Sequence, residues 1–335
     1  MTTARGVLQK SLVIVTLVAC SSWAISQEPG SQPKNADVTR SVRLSLIVTN
    51  RLQHAIDDLN RESIQILEGK TPQTVSQFAK DERPVDYGVV IDATGSFRKL
   101  LDPALAAARL VIDGNRDTDE TFIERFISSN KIDTVQEFTP DKTELFKSLR
   151  QIYVEGGQSA VIDAVYLAVT HTADHGSSNE RRRALVLFTD GEDRASYYSE
   201  NQLFQLLRAK DVQIFVIGIV TALDNRAGLV RPAPRDKAEK LLKRLAQETG
   251  GRVFFPRNLD ELREAAAEIA HCLHNQYVVG YESSAGPGKE NFRAIEVKIV
   301  DAPGREKLST ITRPGYFVNP PDLPAKDKDK KKKSE

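Results

Sequence analysis

Val42, Leu44, Leu46 and Val48 alternate with Arg43, Ser45 and Thr49, and a period of two with one apolar face predicts a half-buried β-strand. Two more strands are expected at Ser63–Glu68 and Thr74–Phe78, with a turn at Gly69-Lys70 after the first. Together they form a small β segment over residues 38–84, too small to bury much surface alone and so expected to pack against its neighbour. From Val85 the pattern changes. Nearly continuous apolar runs lie at Tyr87–Ile91, Thr121–Ile127, Ala184–Thr189, Gln213–Ile219 and Arg252–Phe255. Between and after them come stretches with helical spacing: Asp102–Ile112, Asp141–Ile152, Ala160–His171, Glu200–Ala209, Ala238–Thr249 and Leu259–His274. Ser199 ahead of one helix and Gly250-Gly251 behind another are start and stop signals. A strand without polar alternation must be covered on both faces, and intervening helices supply the cover. Residues 85–275 therefore predict an α/β domain, a doubly wound, mostly parallel sheet of Rossmann-like type. After His274 strands return at Gln276–Glu282, Phe292–Val300 and Lys307–Thr312, a C-terminal β segment over 276–319.

The two ends read differently. Arg5 and Lys10 precede the apolar run Leu12–Ala19, and small polar residues follow. This is the layout of a secretory signal peptide over residues 1–26, with an apolar run too short to span a bilayer. Two processing routes fit it: cleavage after Ala24-Ile25-Ser26, or lipidation of Cys20, because Leu17-Val18-Ala19-Cys20 is similar to a bacterial lipobox. The second route would tether the protein to a membrane surface. Either route places the protein in the periplasm, the outer cell envelope or the medium of a bacterium. Residues 27–37 are a polar, Pro- and Gly-containing linker, and residues 320–335 a Lys-rich tail expected to be disordered. With Cys20 in the targeting segment, Cys272 is left alone and no intrachain disulfide is expected.

Composition changes this picture little. The chain has 335 residues, 40% of them hydrophobic and 28% charged, with a net charge of +1. That suits one sizeable α/β domain with small additions, and a near-neutral balance gives no electrostatic reason to expect nucleic acid.

The candidate chemistry lies where an open α/β sheet binds ligands, in loops beyond the carboxyl ends of its strands. Three such loops carry oxygen donors. Asp92, Thr94 and Ser96 follow the first apolar strand, Ser159 closes Gly156-Gly157-Gln158-Ser159 before a helix, and Asp190 ends the strand Leu187-Phe188-Thr189. Two carboxylates and three hydroxyls suit a hard, octahedral cation, Mg²⁺ or Mn²⁺, with Ca²⁺ the further option. Zinc calls for nitrogen or sulfur donors, and these loops have none. The five histidines show no ligand spacing with cysteines or carboxylates. Asp163, one helical turn after Ser159, is expected to secure its loop by hydrogen bonds, and Glu192 and Asp193 to be rim or exposed carboxylates.

With these residues in place, the chain resembles the von Willebrand factor A domain family. That family's metal-ion-dependent adhesion site reads D-x-S-x-S, a distant T and a distant D. Asp92, Thr94 and Ser96 match the first element, Ser159 falls at the distant threonine, and Asp190 at the last aspartate. The flanks Gly157–Ala164 and Ala184–Gly191 agree as well. Thr94 for serine and Ser159 for threonine keep the hydroxyl. The β segments, with Ala246–Arg252, Gln276–Tyr281, Phe292–Val297 and Arg313–Phe317, are similar to a bacterial subgroup of secreted proteins, the acidobacterial-type VWFA-related proteins. The resemblance implies a binding module without enzymatic activity, whose metal is completed by an acidic residue of a protein ligand. An envelope protein with a vestigial metal site is the alternative reading. A metal-dependent hydrolase is weaker still. Thr94 stands where a phosphatase would need a second acid, and there is no Gly-x-Ser-x-Gly elbow, G-x-G-x-x-G or P-loop.

Overall fold

The computed structural model describes residues 40–176, 180–223, 233–284, 291–300 and 307–319. The expected signal segment, Cys20, the linker and the Lys-rich tail lie outside them. Four strands come first: β1 (Arg40–Thr49), β2 (Ile64–Glu68), β3 (Thr71–Gln73) and β4 (Val75–Lys80). The α/β part follows as β5 (Val85–Asp92), α1 (Leu101–Asp113), β6 (Glu120–Ser128), β7 (Lys131–Thr139), α2 (Lys142–Leu149), α3 (Val161–Asp174) and β8 (Arg182–Thr189). It continues through α4 (Glu200–Ala209), β9 (Gln213–Gly218), α5 (Pro234–Thr249), β10 (Val253–Phe254) and α6 (Leu259–His274). Four strands end the described chain: β11 (Tyr277–Ser283), β12 (Phe292–Ile299), β13 (Ser309–Ile311) and β14 (Gly315–Phe317).

The central sheet runs β10-β9-β8-β5-β6-β7. Its neighbours pair in parallel except β7, which is antiparallel to β6. β5 lies inside the sheet and every one of its eight residues is buried, which is why its sequence shows no polar alternation. Alternate side chains go to opposite layers. Val89, Ile91, Ile123 and Val186 pack with α1, α2 and α6 through Ala104, Ala108, Leu145 and Ile269. Val90, Phe122, Leu185 and Leu187 pack on the other face with α3, α4 and α5 through Val165, Leu203 and Leu242. Each such side chain contributes about 1.5–3 kcal/mol by leaving water, so the sheet is held from both sides. The fold is thus the α/β, mostly parallel arrangement expected. Among the described residues no helix is long and apolar enough to cross a membrane.

β7 was not apparent in the sequence. Its apolar residues Ile132, Val135 and Phe138 fall three apart, a spacing that hides a period of two. Ordinary alternation puts Ile132 and Phe138 on one face and Val135 on the other, so they pack on different cores. Neither face carries a continuous apolar run, and register shifts also interrupt the ladder with β6.

The flanking β segments are intermixed. One sheet runs β13-β1-β11-β4 and the other β14-β12-β2-β3, so each takes strands from both ends of the described chain. Val42, Leu44, Ile66, Val279, Tyr281 and Val297 form their shared core. Neither segment alone has the apolar residues to close such a core, which is the physical reason they combine. Buried in it, Glu68 accepts hydrogen bonds from Tyr281 Oη (2.8 Å), Ser283 Oγ (2.9 Å) and Tyr316 Oη (3.3 Å). Ile47, on the opposite face of β1, joins the core of the α/β part. Arg252 bridges Glu268 of α6 (2.6 Å) and the Gln53 carbonyl (2.6 Å) after β1.

Candidate metal centre

β5 ends at Asp92, and the chain turns through a single 3₁₀ turn, Gly95–Phe97, before α1. Phe97 is fully buried and anchors that turn in the core. Asp92 is fully buried too. Its Oδ1 accepts from Thr94 N–H (3.0 Å) and Thr94 Oγ1 (2.6 Å), and its Oδ2 from Thr189 Oγ1 (2.7 Å). Thr94 Oγ1 lies 3.1 Å from Ser96 Oγ, which in turn donates to Asp190 Oδ2 at 2.8 Å. Asp190 Oδ1 accepts from Glu192 N–H (3.0 Å). Four of the five expected donors therefore form one hydrogen-bonded chain, with Ser96 exposed at its mouth.

Ser159 completes the set differently. It is buried, and its Oγ has no hydrogen-bond partner. Its carbonyl accepts from Arg194 N–H (2.8 Å) and Ala195 N–H (3.1 Å), which ties the second loop to the third. Glu155 N–H donates to the Ala93 carbonyl (3.0 Å) and ties the second loop to the first. Gly157 lets the second loop lie against the end of β6, since a Cβ there would sit 2.6 Å from the Ile127 carbonyl oxygen. Gly191 turns the chain after Asp190 at φ +78°, a conformation that other residues resist.

The supports around these loops were only partly visible in the sequence. Asp163 does secure the loops, accepting from Tyr197 N–H (2.7 Å), Tyr198 N–H (2.8 Å) and Ser129 Oγ. Asp193 departs from its expected place on the rim. Its Oδ1 accepts from Ile162 N–H (3.1 Å) and so caps α3, whose own N-cap Ala160 has no side chain to do so. Ser196 Oγ accepts from Asp163 N–H at 3.2 Å. A cap supplied from a distant loop leaves no local signature of the kind that Asp141 before α2, or Ser199 before α4, provides.

The electrostatics are unbalanced. Neither Asp92 nor Asp190 has an ion-pair partner among the described residues. Burial, with the Asp190 charge nearby, pushes Asp92 up to about 7 in spite of the hydrogen bonds from Thr94 and Thr189. Burial also raises Asp190, against the bonds from Glu192 N–H and Ser96. Two buried carboxylates without an ion-pair partner, on loops tied to the one that carries a buried hydroxyl without a hydrogen-bond partner, are a donor set a hard cation would satisfy. The unpaired hydroxyl has its own consequence. In chelator, Ser159→Ala should leave stability unchanged or raise it by up to about 1 kcal/mol, because no protein hydrogen bond is lost. Urea titration checks this, and a loss beyond that size would mean that Oγ has a protein partner.

An open doubly wound sheet with a cluster of oxygen donors at the carboxyl ends of its strands defines the class of protein. The sequence profile of the von Willebrand factor type A domain matches residues 89–268, more than half of the chain. The chain belongs to that family. No curated protein matches it. Among solved structures it is similar to an aerotolerance-related membrane protein from Bacteroides fragilis (18% identity, TM-score 0.42, covering 56% of this chain and 98% of that one). A von Willebrand factor type A protein from Catenulispora acidiphila is similar at 13% identity and a TM-score of 0.47, covering 83% of this chain and 74% of that one. Proximal thread matrix protein 1 from the mussel byssus, solved with a zinc-occupied MIDAS motif, is similar at 16% identity and a TM-score of 0.45. That likeness covers 58% of this chain and 49% of the mussel protein.

Proposed function

We propose that this chain is a divalent-cation-dependent binding protein. Asp92, Thr94, Ser96, Ser159 and Asp190 would hold Mg²⁺, or Mn²⁺ or Ca²⁺ in its place, and an acidic group of a protein ligand would complete the shell. The observation that carries this reading is the buried Asp92–Asp190 pair without a basic partner, joined by hydroxyls to the exposed Ser96. When bound, the cation supplies the positive charge that this pocket lacks. The protein's part is to keep the two carboxylates ionised and in place through Thr94 and Thr189, and to leave the Ser96 side open to a partner. Arg98 and Lys99 are exposed just beyond Ser96. A basic rim of this kind favours the approach of an acidic surface. The signal segment supports a place outside the cytoplasm, free or lipid-anchored through Cys20. The β segments support kinship with the acidobacterial-type secreted subgroup.

Thermal unfolding with and without Mg²⁺ tests the metal. At a hundredfold excess over the dissociation constant, linkage predicts about 2.7 kcal/mol of stabilisation. It should vanish in EDTA and in Asp190→Ala. No gain in the wild type, or an equal gain in the variant, would sink the proposal. Capture of a partner from cell-envelope extract in Mg²⁺, lost in EDTA and in Asp190→Ala, tests the second half.

A further inference from the structure

We propose that Asp86, Glu120 and His175 form a second metal site, for a first-row transition ion of the Zn²⁺ type, at the opposite end of the central sheet. Asp86 is the second residue of β5 and Glu120 the first of β6, and the two pair in register. His175 follows the last residue of α3. Six residues of strand separate Asp86 from Asp92, roughly 20 Å at the rise of a β-strand, so the two centres are distinct. The three side chains each offer one ligand atom, and these lie within 4.8 Å of one another. His175 Nε2 is 3.0 Å from Glu120 Oε2. Roughly 3 Å is also the separation of two ligands on one ion when each metal–ligand bond is about 2.1 Å.

Asp86 carries the argument. It is 1% exposed, and its Oδ2 has no hydrogen-bond partner. Leaving one oxygen of a buried carboxylate unpaired costs free energy and calls for an explanation. Arg181 is not that explanation, because it engages the other oxygen: its Nε donates to Asp86 Oδ1 at 2.7 Å and its Nη2 lies 2.5 Å from the same atom as an ion pair. The same guanidinium approaches Glu120 through Oε1 (3.7 Å), leaving Oε2 to His175. One oxygen of each carboxylate thus faces the arginine, and Oδ2 of Asp86 faces the turn that carries His175, 3.7 Å from where a side chain on Gly176 would begin. Outer partners of this sort orient metal ligands. The imidazole is held as well, stacked on Phe138 with centroids 3.7 Å apart and planes 7° apart. The turn is pinned by Arg183, whose Nη2 donates to the carbonyls of His175 and Gly176, both at 2.9 Å.

The donors set the chemistry. Two carboxylates and an imidazole nitrogen match a borderline cation such as Zn²⁺, and the nitrogen argues against Mg²⁺. This differs from the hydroxyl-rich pocket beyond Asp92. The side chains of His175 and Glu120 are 33% and 34% exposed, so an ion has a route in and water can complete its shell. A bound ion would join the starts of two strands to the end of a helix. The histidine spacing gave no hint of it, since the three residues meet only through the parallel pairing of β5 with β6 and the return of α3.

Metal titration of the chelator-treated full chain tests the site, with Co²⁺ as a spectroscopic stand-in for Zn²⁺. The Asp190→Ala background separates it from the hydroxyl pocket. That variant should still bind one equivalent of Co²⁺, with visible absorption bands, and Zn²⁺ should displace it. Adding His175→Ala should abolish the bands, and adding Glu120→Gln should weaken binding at least tenfold. In the wild-type background His175→Ala should leave the response to Mg²⁺ intact. Should His175→Ala fail to fold by circular dichroism, Glu120→Gln, an isosteric change at a partly exposed side chain, carries the test. Absence of Co²⁺ and Zn²⁺ binding in Asp190→Ala would overturn the proposal, and so would binding unchanged in the folded ligand variants.

Discussion

At pH 8 the Glu124→Gln variant unfolds at a higher urea concentration than the wild type, with a gain of about 4 kcal/mol that disappears towards pH 4. Glu124 lies on β6 between Phe122 and Phe126, paired with Val90 of β5, and is 3% exposed. Its Oε1 has no hydrogen-bond partner. Burial, with a smaller push from the charge on Asp133, raises its carboxyl from 4.5 to about 8. The folded state therefore holds this proton far more tightly than the unfolded chain does. Below about pH 4.5 both states are protonated, and the stability from the neutral carboxyl is fully present. As pH rises from 4.5 to about 8, the unfolded chain ionises while the folded protein does not, and stability falls throughout that window. Each tenfold difference in proton affinity is about 1.4 kcal/mol, which sets the size. Glutamine keeps the shape and cannot ionise, so the difference between variant and wild type must grow with pH. A difference that stays flat from pH 4.5 to 8 would refute this account of Glu124.

The same comparison of local and distant forces explains which parts of the molecule were legible in the sequence. α6 runs from Leu259 to His274 as its apolar spacing predicts, because one helix carries both its own start signal, Asn258, and its own buried face. β5, β8 and β9 were visible for a related reason: burial on both faces leaves an apolar run that no surface segment has. The loops bearing Asp92, Ser159 and Asp190 were readable because each follows a strand or opens a helix, and strand order brings them to one edge. What escaped depends on contacts between remote residues. β7 has few apolar residues, divided between its two faces, and its place in the sheet comes from its ladder with β6. The mixed sheets of the flanking segments place β1 beside β11 and β2 beside β12, pairings that strand patterns cannot choose. Asp193 caps a helix that begins some thirty residues earlier, and Asp86, Glu120 and His175 come from three separate elements.

Asp163 is where that dependence on remote contacts should be most costly to break. Asp163→Ala is expected to lose about 3 kcal/mol, and Asp163→Asn clearly less. The carboxylate is 2% exposed and accepts from two backbone N–H groups, Tyr197 and Tyr198, and from Ser129 Oγ. Hydrogen bonds to a charged acceptor contribute about 1.5–3 kcal/mol each, and a buried donor left without a partner adds its desolvation cost. Asparagine retains one acceptor oxygen and can satisfy one of the two amides, and alanine satisfies neither. The loss is partly cushioned, because the ring of Tyr198 stacks on Tyr166 of α3 at 3.8 Å and keeps the loop near the helix. Loosening should spread along the loop to Arg194 and Ala195, whose N–H groups hold the Ser159 carbonyl. Asp163→Ala should therefore weaken Mg²⁺ binding as well as lower stability, whereas Ser159→Ala should weaken binding without destabilising the metal-free protein. Hydrogen exchange supplies the direct measurement: the Tyr197 and Tyr198 amides, protected in the wild type, should exchange faster in Asp163→Ala. If they stay protected and stability falls by less than about 0.5 kcal/mol, the loop is held by the tyrosine stack and not by Asp163.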